Sequence, residues 1–126
     1  MKTLKIDRTK QTPEVVFNAK NGILQISGRS IPENTFEFYD PLLSWIDDYT
    51  QHPFEKTIIK IQLEYFNTSS SKYLLEILKK IKKLHTDNND VLVEWYYEED
   101  DEEMMETGED YRDLIDIPFE IIVIGE

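Results

Sequence analysis

The chain has 126 residues, 14 of them basic and 26 acidic, a formal net charge of −12 and no cysteine. That balance argues against nucleic acid and anionic membrane surfaces as partners and favours a basic protein surface. The missing thiols exclude disulfides, thiol catalysis and thiolate metal sites.

Hydrophobic residues make up 40% of the chain, including 2 Trp, 7 Tyr and 6 Phe, which is enough for an ordered core. One domain over residues 1–126 is expected, of a size that buries roughly 65% of its unfolded surface. The first residues lack an apolar signal-peptide core, and no apolar run approaches the roughly 18 residues of a membrane helix. The expectation is a soluble cytoplasmic protein that contacts no membrane.

Residues 1–12 are polar and are predicted to be loose. Val15-Val16-Phe17 and Ile23-Leu24-Gln25-Ile26 flank an Asn21-Gly22 pair, the strongest short hairpin signal. Arg29-Ser30-Ile31-Pro32-Glu33-Asn34 reads as a loop. Phe38, Leu42, Trp45, Ile46 and Tyr49 recur at helical spacing, predicting a helix from about Tyr39 to Tyr49 with Pro41 in its first turn.

Thr57 to Phe66 is the clearest strand. Ile59, Ile61, Leu63 and Tyr65 share one face, while Lys60, Gln62 and Glu64 share the other. The polar row says that one sheet face is wet. A helix from about Ser69 to Leu84 follows, with Leu74, Ile77, Leu78, Ile81 and Leu84 in one stripe. Val91 to Tyr97 reads as a strand, Glu98 to Asp113 as a helix, and Ile117 to Ile124 as the last strand. The order β-β-α-β-α-β-α-β implies an α/β fold, with right-handed parallel crossovers and a mixed sheet opened by a hairpin.

The most informative stretch is Tyr65-Phe66-Asn67-Thr68-Ser69-Ser70-Ser71-Lys72. It sets Asn67 and four hydroxyl side chains between a strand and a helix, where free backbone N–H groups and the helix dipole favour negative charge. A phosphate there would be electrostatically accommodated and would alter the surface. The plainer reading is that Thr68 and Ser69 to Ser71 only cap the helix, that Asn67 shapes the turn, and that Lys72 is a solvated helix residue.

Other features point away from catalysis. There is no Gly-rich phosphate loop and no nucleophile elbow, and His52 and His85 fall in no pattern with Ser and Asp. Glu98-Glu99-Asp100-Asp101-Glu102-Glu103 lacks the ligand alternation and glycine of a calcium loop. Neither cofactor nor metal is expected, and the chain is not expected to be an enzyme. The polar loop carrying Arg29, Ser30, Pro32, Glu33 and Asn34 is either a structural crossover or part of a partner surface.

Several segments together resemble the SiaC family of bacterial regulatory phosphoproteins. They are Gly28-Arg29-Ser30-Ile31-Pro32-Glu33-Asn34, Phe38-Tyr39-Asp40-Pro41, Trp45, the Asn67 to Lys72 block, Trp95-Tyr96-Tyr97, the acidic run with Met104, Gly108-Glu109, and Pro118-Phe119. The likeness runs from about Thr12 to Ile122. Ile31 departs from it, standing where the family pattern has an aromatic.

The resemblance implies a STAS-like domain, similar to anti-sigma-factor antagonists, that is reversibly phosphorylated on Thr68. It implies a Ser/Thr kinase of the histidine-kinase-like ATPase type and a metal-dependent Ser/Thr phosphatase. It further implies that the unmodified form binds a diguanylate cyclase and so acts in cyclic di-GMP signalling. The competing expectation is a constitutive binding module in which Thr68 is only a cap.

Overall fold

A computed structural model describes residues 1–125. Its elements in chain order are β1 (Leu4–Ile6), β2 (Glu14–Asn18), β3 (Ile23–Ser30), α1 (Thr35–Tyr49), β4 (Lys56–Phe66), α2 (Thr68–Thr86), β5 (Asp90–Glu98), α3 (Glu102–Ile115) and β6 (Phe119–Ile124). They form one six-stranded sheet in the order β1-β2-β3-β4-β5-β6. The first three strands pair antiparallel and the last three join in parallel, so the expected mixed α/β architecture holds.

Three successive crossovers advance the sheet in one direction. With right-handed connections, this places every helix on the same face. The helix-side residues of the strands are buried, Phe17, Leu24, Ile26, Ile59, Ile61 and Trp95 completely. The opposite face carries Gln25, Lys60, Gln62, Glu94 and Glu120 in a half-wet layer, as the alternation in β4 predicts.

The N-terminal segment differs from expectation. Residues 1–12 are not loose throughout, because Leu4–Ile6 pairs with β2 and sets Leu4 opposite Phe17 and Ile6 opposite Val15. The Trp45 indole N–H donates to the Lys2 carbonyl at 2.8 Å, and Leu4 and Ile6 pack against the core. A three-residue edge strand carries too little periodicity to read locally; its partner strand supplies the order.

The hairpin turns at Gly22 as predicted, with φ +73. Its N–H donates to the Asn18 carbonyl at 3.0 Å. Helix α1 starts four residues before the predicted Tyr39. Asn34 is its cap, accepting from the Glu37 N–H at 3.0 Å, so Pro41 lies in the second turn rather than the first. An interior proline costs about 3 kcal/mol. Burying Tyr39, Leu42, Trp45, Ile46 and Tyr49, at about 1.5–3 kcal/mol each, outweighs that cost.

Strand β4 breaks its own alternation. Gly28 pairs with Leu63 but Arg29 pairs with Tyr65, so Glu64 is an extra, bulged residue. The bulge reverses the faces beyond it. Tyr65, expected beside Leu63, is 53% exposed, and Phe66 turns inward to meet Trp95 edge-on at 6.1 Å. Helix α3 also starts later than the predicted Glu98. Strand β5 runs to Glu98, and the Asp101 side chain caps α3 by accepting from the Met104 N–H at 3.0 Å.

Trp95 anchors this end of the core. Its indole N–H donates to the Met104 carbonyl at 3.0 Å. A Cβ on Gly108 would sit 2.5 Å from its ring. Gly to Ala inside a helix ordinarily stabilises by about 1 kcal/mol. Here Gly108→Ala is expected to destabilise by about 1–3 kcal/mol through overpacking, read as a lower urea midpoint. A raised midpoint would show that α3 does not press on Trp95.

Candidate functional site

The site lies where β3, α1, β4 and α2 meet, at the carboxyl ends of the parallel strands. Asn67, not Thr68, is the cap of α2. Its side-chain oxygen accepts from the Ser70 N–H at 2.9 Å and from the Ser69 hydroxyl at 3.2 Å. Thr68 is therefore the first helical residue. Its side chain is exposed, and its hydroxyl has no hydrogen-bond partner among the described residues.

The three serines that follow differ in what they touch. Ser69 is exposed and bonds Thr35 at 2.8 Å, tying the first turn of α2 to the first turn of α1. Ser70 is completely buried, 2.9 Å from the Ser30 hydroxyl, and donates to the Ser30 carbonyl at 3.1 Å. Ser71 is half-buried and donates to the Thr68 carbonyl at 2.6 Å. Lys72 is exposed one helical turn beyond Thr68, on the same side of α2.

The turn is rigidly attached. The Asn67 N–H donates to the Ser30 carbonyl at 3.0 Å. The Tyr111 hydroxyl of α3 donates to the Ser71 carbonyl at 3.0 Å. The Asn67 side chain occupies the Ser70 N–H and the Asn67 carbonyl occupies the Ser71 N–H. The Thr68 and Ser69 N–H groups, first in the helix, remain open to a charged group on Thr68.

The loop before α1 divides in two. Arg29, Glu33 and Asn34 are exposed, whereas Ser30 and Pro32 are buried and support that surface from beneath. Asn34 also caps α1. Tyr65 at 53% exposure and Phe36 at 61% stand on the flanking elements. Sequence reading missed Phe36, Thr35 and Tyr39 as parts of this region. The Asn34-x-x-Glu37 spacing resembles a capping box; it starts the helix at Thr35 and puts Phe36 off the apolar stripe.

His52 and His85 are exposed, the first after the end of α1 and the second in the last turn of α2. No helix of the described residues is long and apolar enough to cross a membrane.

Comparison with known proteins identifies the family. The model of the SiaC family regulatory phosphoproteins matches residues 6–124. The chain belongs to the SiaC family. An uncharacterised protein of Pseudomonas aeruginosa (strain UCBPP-PA14) is 31% identical over 124 residues, covering 96% of each chain. The chain is also similar to SiaC of Pseudomonas aeruginosa as solved in complex with the diguanylate cyclase SiaD, whose activator that SiaC is. The TM-score is 0.91 at 28% identity, over 96% of this chain and 99% of that one. Apo-SiaC of the same organism gives a TM-score of 0.89 at 29% identity, over 97% and 99%.

Two measurements check the site. Asn67→Ala is expected to cost about 1 kcal/mol through loss of the cap, and Thr68→Ala to stay within about 0.5 kcal/mol, both by chemical denaturation. Equal costs would return the capping role to Thr68.

Burial, with the neighbouring Glu94 carboxylate adding to it, raises the Tyr96 phenol to about 12. Burial likewise raises Tyr111 to about 12, against the opposing bond to Ser71. Burial also raises Tyr39. In the unfolded chain these phenols ionise near 10.0. The contribution of Tyr96 and Tyr111 is complete below that pH and is lost as pH rises from about 10 through about 12. Urea midpoints are expected to fall across that window, in step with phenolate absorbance. Phenolate absorbance that rises fully near pH 10 in the folded protein would show that the three are solvated.

Proposed function

We propose that this chain is a signalling switch without catalytic activity of its own, set by reversible phosphorylation of Thr68. The carrying observation is that Thr68 is the one exposed hydroxyl of its turn left unbonded, in a turn otherwise fastened at every side chain. A Ser/Thr kinase of the histidine-kinase-like ATPase type adds the phosphate and a metal-dependent Ser/Thr phosphatase removes it. The unmodified form binds and regulates a diguanylate cyclase. The likeness to SiaC, which is solved with a diguanylate cyclase as its activator, supports that partner.

Phosphorylation brings about −1.5 to −2 charge and three acceptor oxygens. The Thr68 and Ser69 N–H groups and the dipole of α2 accommodate that charge, so the domain keeps its fold. The outer surface changes instead. A partner that packs over Thr68, Phe36 and Tyr65 meets a dianion that is costly to desolvate in an apolar contact. Modification therefore works by blocking an interface, with Arg29, Glu33 and Asn34 at its margin.

The test uses the full chain and the diguanylate cyclase of its own host. Phosphopeptide mass spectrometry on protein from that host is expected to find a phosphatase-sensitive mark on Thr68. Thr68→Ala is expected to bind the cyclase like the natural protein, and the phosphorylated form at least tenfold more weakly (about 1.4 kcal/mol), with an unchanged circular dichroism spectrum. Equal binding by both forms would leave the constitutive module, and a spectrum that changes strongly would replace blocking by refolding.

A further inference from the structure

Beneath the Thr68 turn lies a chain of buried hydroxyls that the switch as described does not use. Tyr39 of α1, Ser30 at the end of β3 and Ser70 of α2 are each 0% exposed. The Tyr39 and Ser30 hydroxyls are 2.6 Å apart and the Ser30 and Ser70 hydroxyls 2.9 Å apart. The Ser70 hydroxyl also lies 3.1 Å from the Ser30 carbonyl.

The three hydroxyls form one connected cluster, each with one proton to give. The Tyr39 hydroxyl bonds the Ser30 hydroxyl, and the Ser70 hydroxyl acts on it as well. Ser70 donates to the Ser30 carbonyl, and no described buried side-chain polar atom lacks a partner. The same Ser30 carbonyl holds the Asn67 N–H. One connected set of bonds thus links the second turn of α1 to both ends of the Asn67–Ser70 turn that carries Thr68.

We propose that Tyr39, acting through Ser30 and Ser70, is a positioning residue for Thr68. Its hydroxyl holds the acceptor turn in the single conformation that presents the Thr68 side chain for phosphorylation. The proposal rests on the Thr68 reading above. A loosened turn leaves the domain folded but presents the acceptor in many geometries, and transfer to it slows.

The molecule contains a matched control. Tyr49 lies on the same helix, is also 0% exposed, bonds the buried Thr57 hydroxyl at 2.7 Å and accepts from the Phe54 N–H at 3.2 Å. That bond is at the opposite end of α1 from the Thr68 turn. Tyr39→Phe and Tyr49→Phe therefore delete the same chemical group from the same helix, each keeping its ring; the Tyr39 ring stacks on Tyr73 at 5.3 Å.

Both variants and the natural chain are expressed in the native host. Thr68 phospho-occupancy is measured by mass spectrometry, and amide hydrogen exchange is followed over residues 67–71 of the unmodified proteins. Tyr39→Phe is expected to speed exchange at Ser70 and Ser71 by on the order of fivefold to tenfold, the effect of one lost hydrogen bond. It is expected to lower Thr68 occupancy severalfold, and Tyr49→Phe to do neither at a comparable loss of Tm. Tyr39→Phe and Tyr49→Phe behaving alike, with the natural chain marked on Thr68, would overturn the positioning role alone. A natural chain with no mark on Thr68 would overturn the phosphorylation reading and this proposal together, and unchanged exchange in Tyr39→Phe would show that the hydroxyl chain does not hold the turn.

Discussion

The direction of the crossovers is the constraint on which everything else depends. From β3 to β6 the chain always steps to the same side, and right-handed connections then put α1, α2 and α3 together on one face. Their N-termini consequently line one edge of the sheet, beyond the carboxyl ends of the strands. Only this arrangement brings Thr35, Thr68 and Ser30 together, although they come from three different elements. Loops at that edge of an α/β sheet are where function is ordinarily built.

Within that edge, rigidity and freedom are divided sharply. The Ser30 carbonyl takes two donors from α2, Asn67 caps, Tyr111 reaches across from α3, and Ser69 is bonded to Thr35. Of the hydroxyls in this turn, Thr68 is the one that is exposed and unbonded among the described residues. The proposed phosphorylation of Thr68 would benefit from this division, because a kinase must reach the hydroxyl while the surrounding backbone holds a reproducible shape. The bulge at Glu64 contributes in the same way. It turns Phe66 into the core and delivers the chain to Asn67 in register with Ser30, while leaving Tyr65 outside.

Charge shapes the choice of partner more than the fold. A net charge of −12 disfavours contact with polyanions, and the proposed phosphate would add to that repulsion toward an acidic surface. The acidic run that attracts attention in the sequence proves to be divided among structural duties. Glu98 ends β5, Asp101 caps α3, and Glu102 and Glu103 occupy the first turn of that helix, where the dipole favours them.

Much was legible locally because it depends on periods of two and 3.6 residues. The parallel strands, the stripes of α1 and α2, the hairpin at Asn21-Gly22 and the position of the hydroxyl block all follow from the order of residues. So does the wet sheet face, from Lys60, Gln62 and Glu64. The short strand β1 was not legible, since β2 and Trp45 supply its order. Nor was the bulge, which exists only as a mismatch between two strands. The sequence alone determined which hydroxyls stand at the start of α2. Only the tertiary structure decided which of them is a cap's partner, which is buried and which is free, because burial and hydrogen bonding at Ser70 depend on Ser30, 40 residues away in the chain, and on Tyr39, bonded to Ser30 from a different helix.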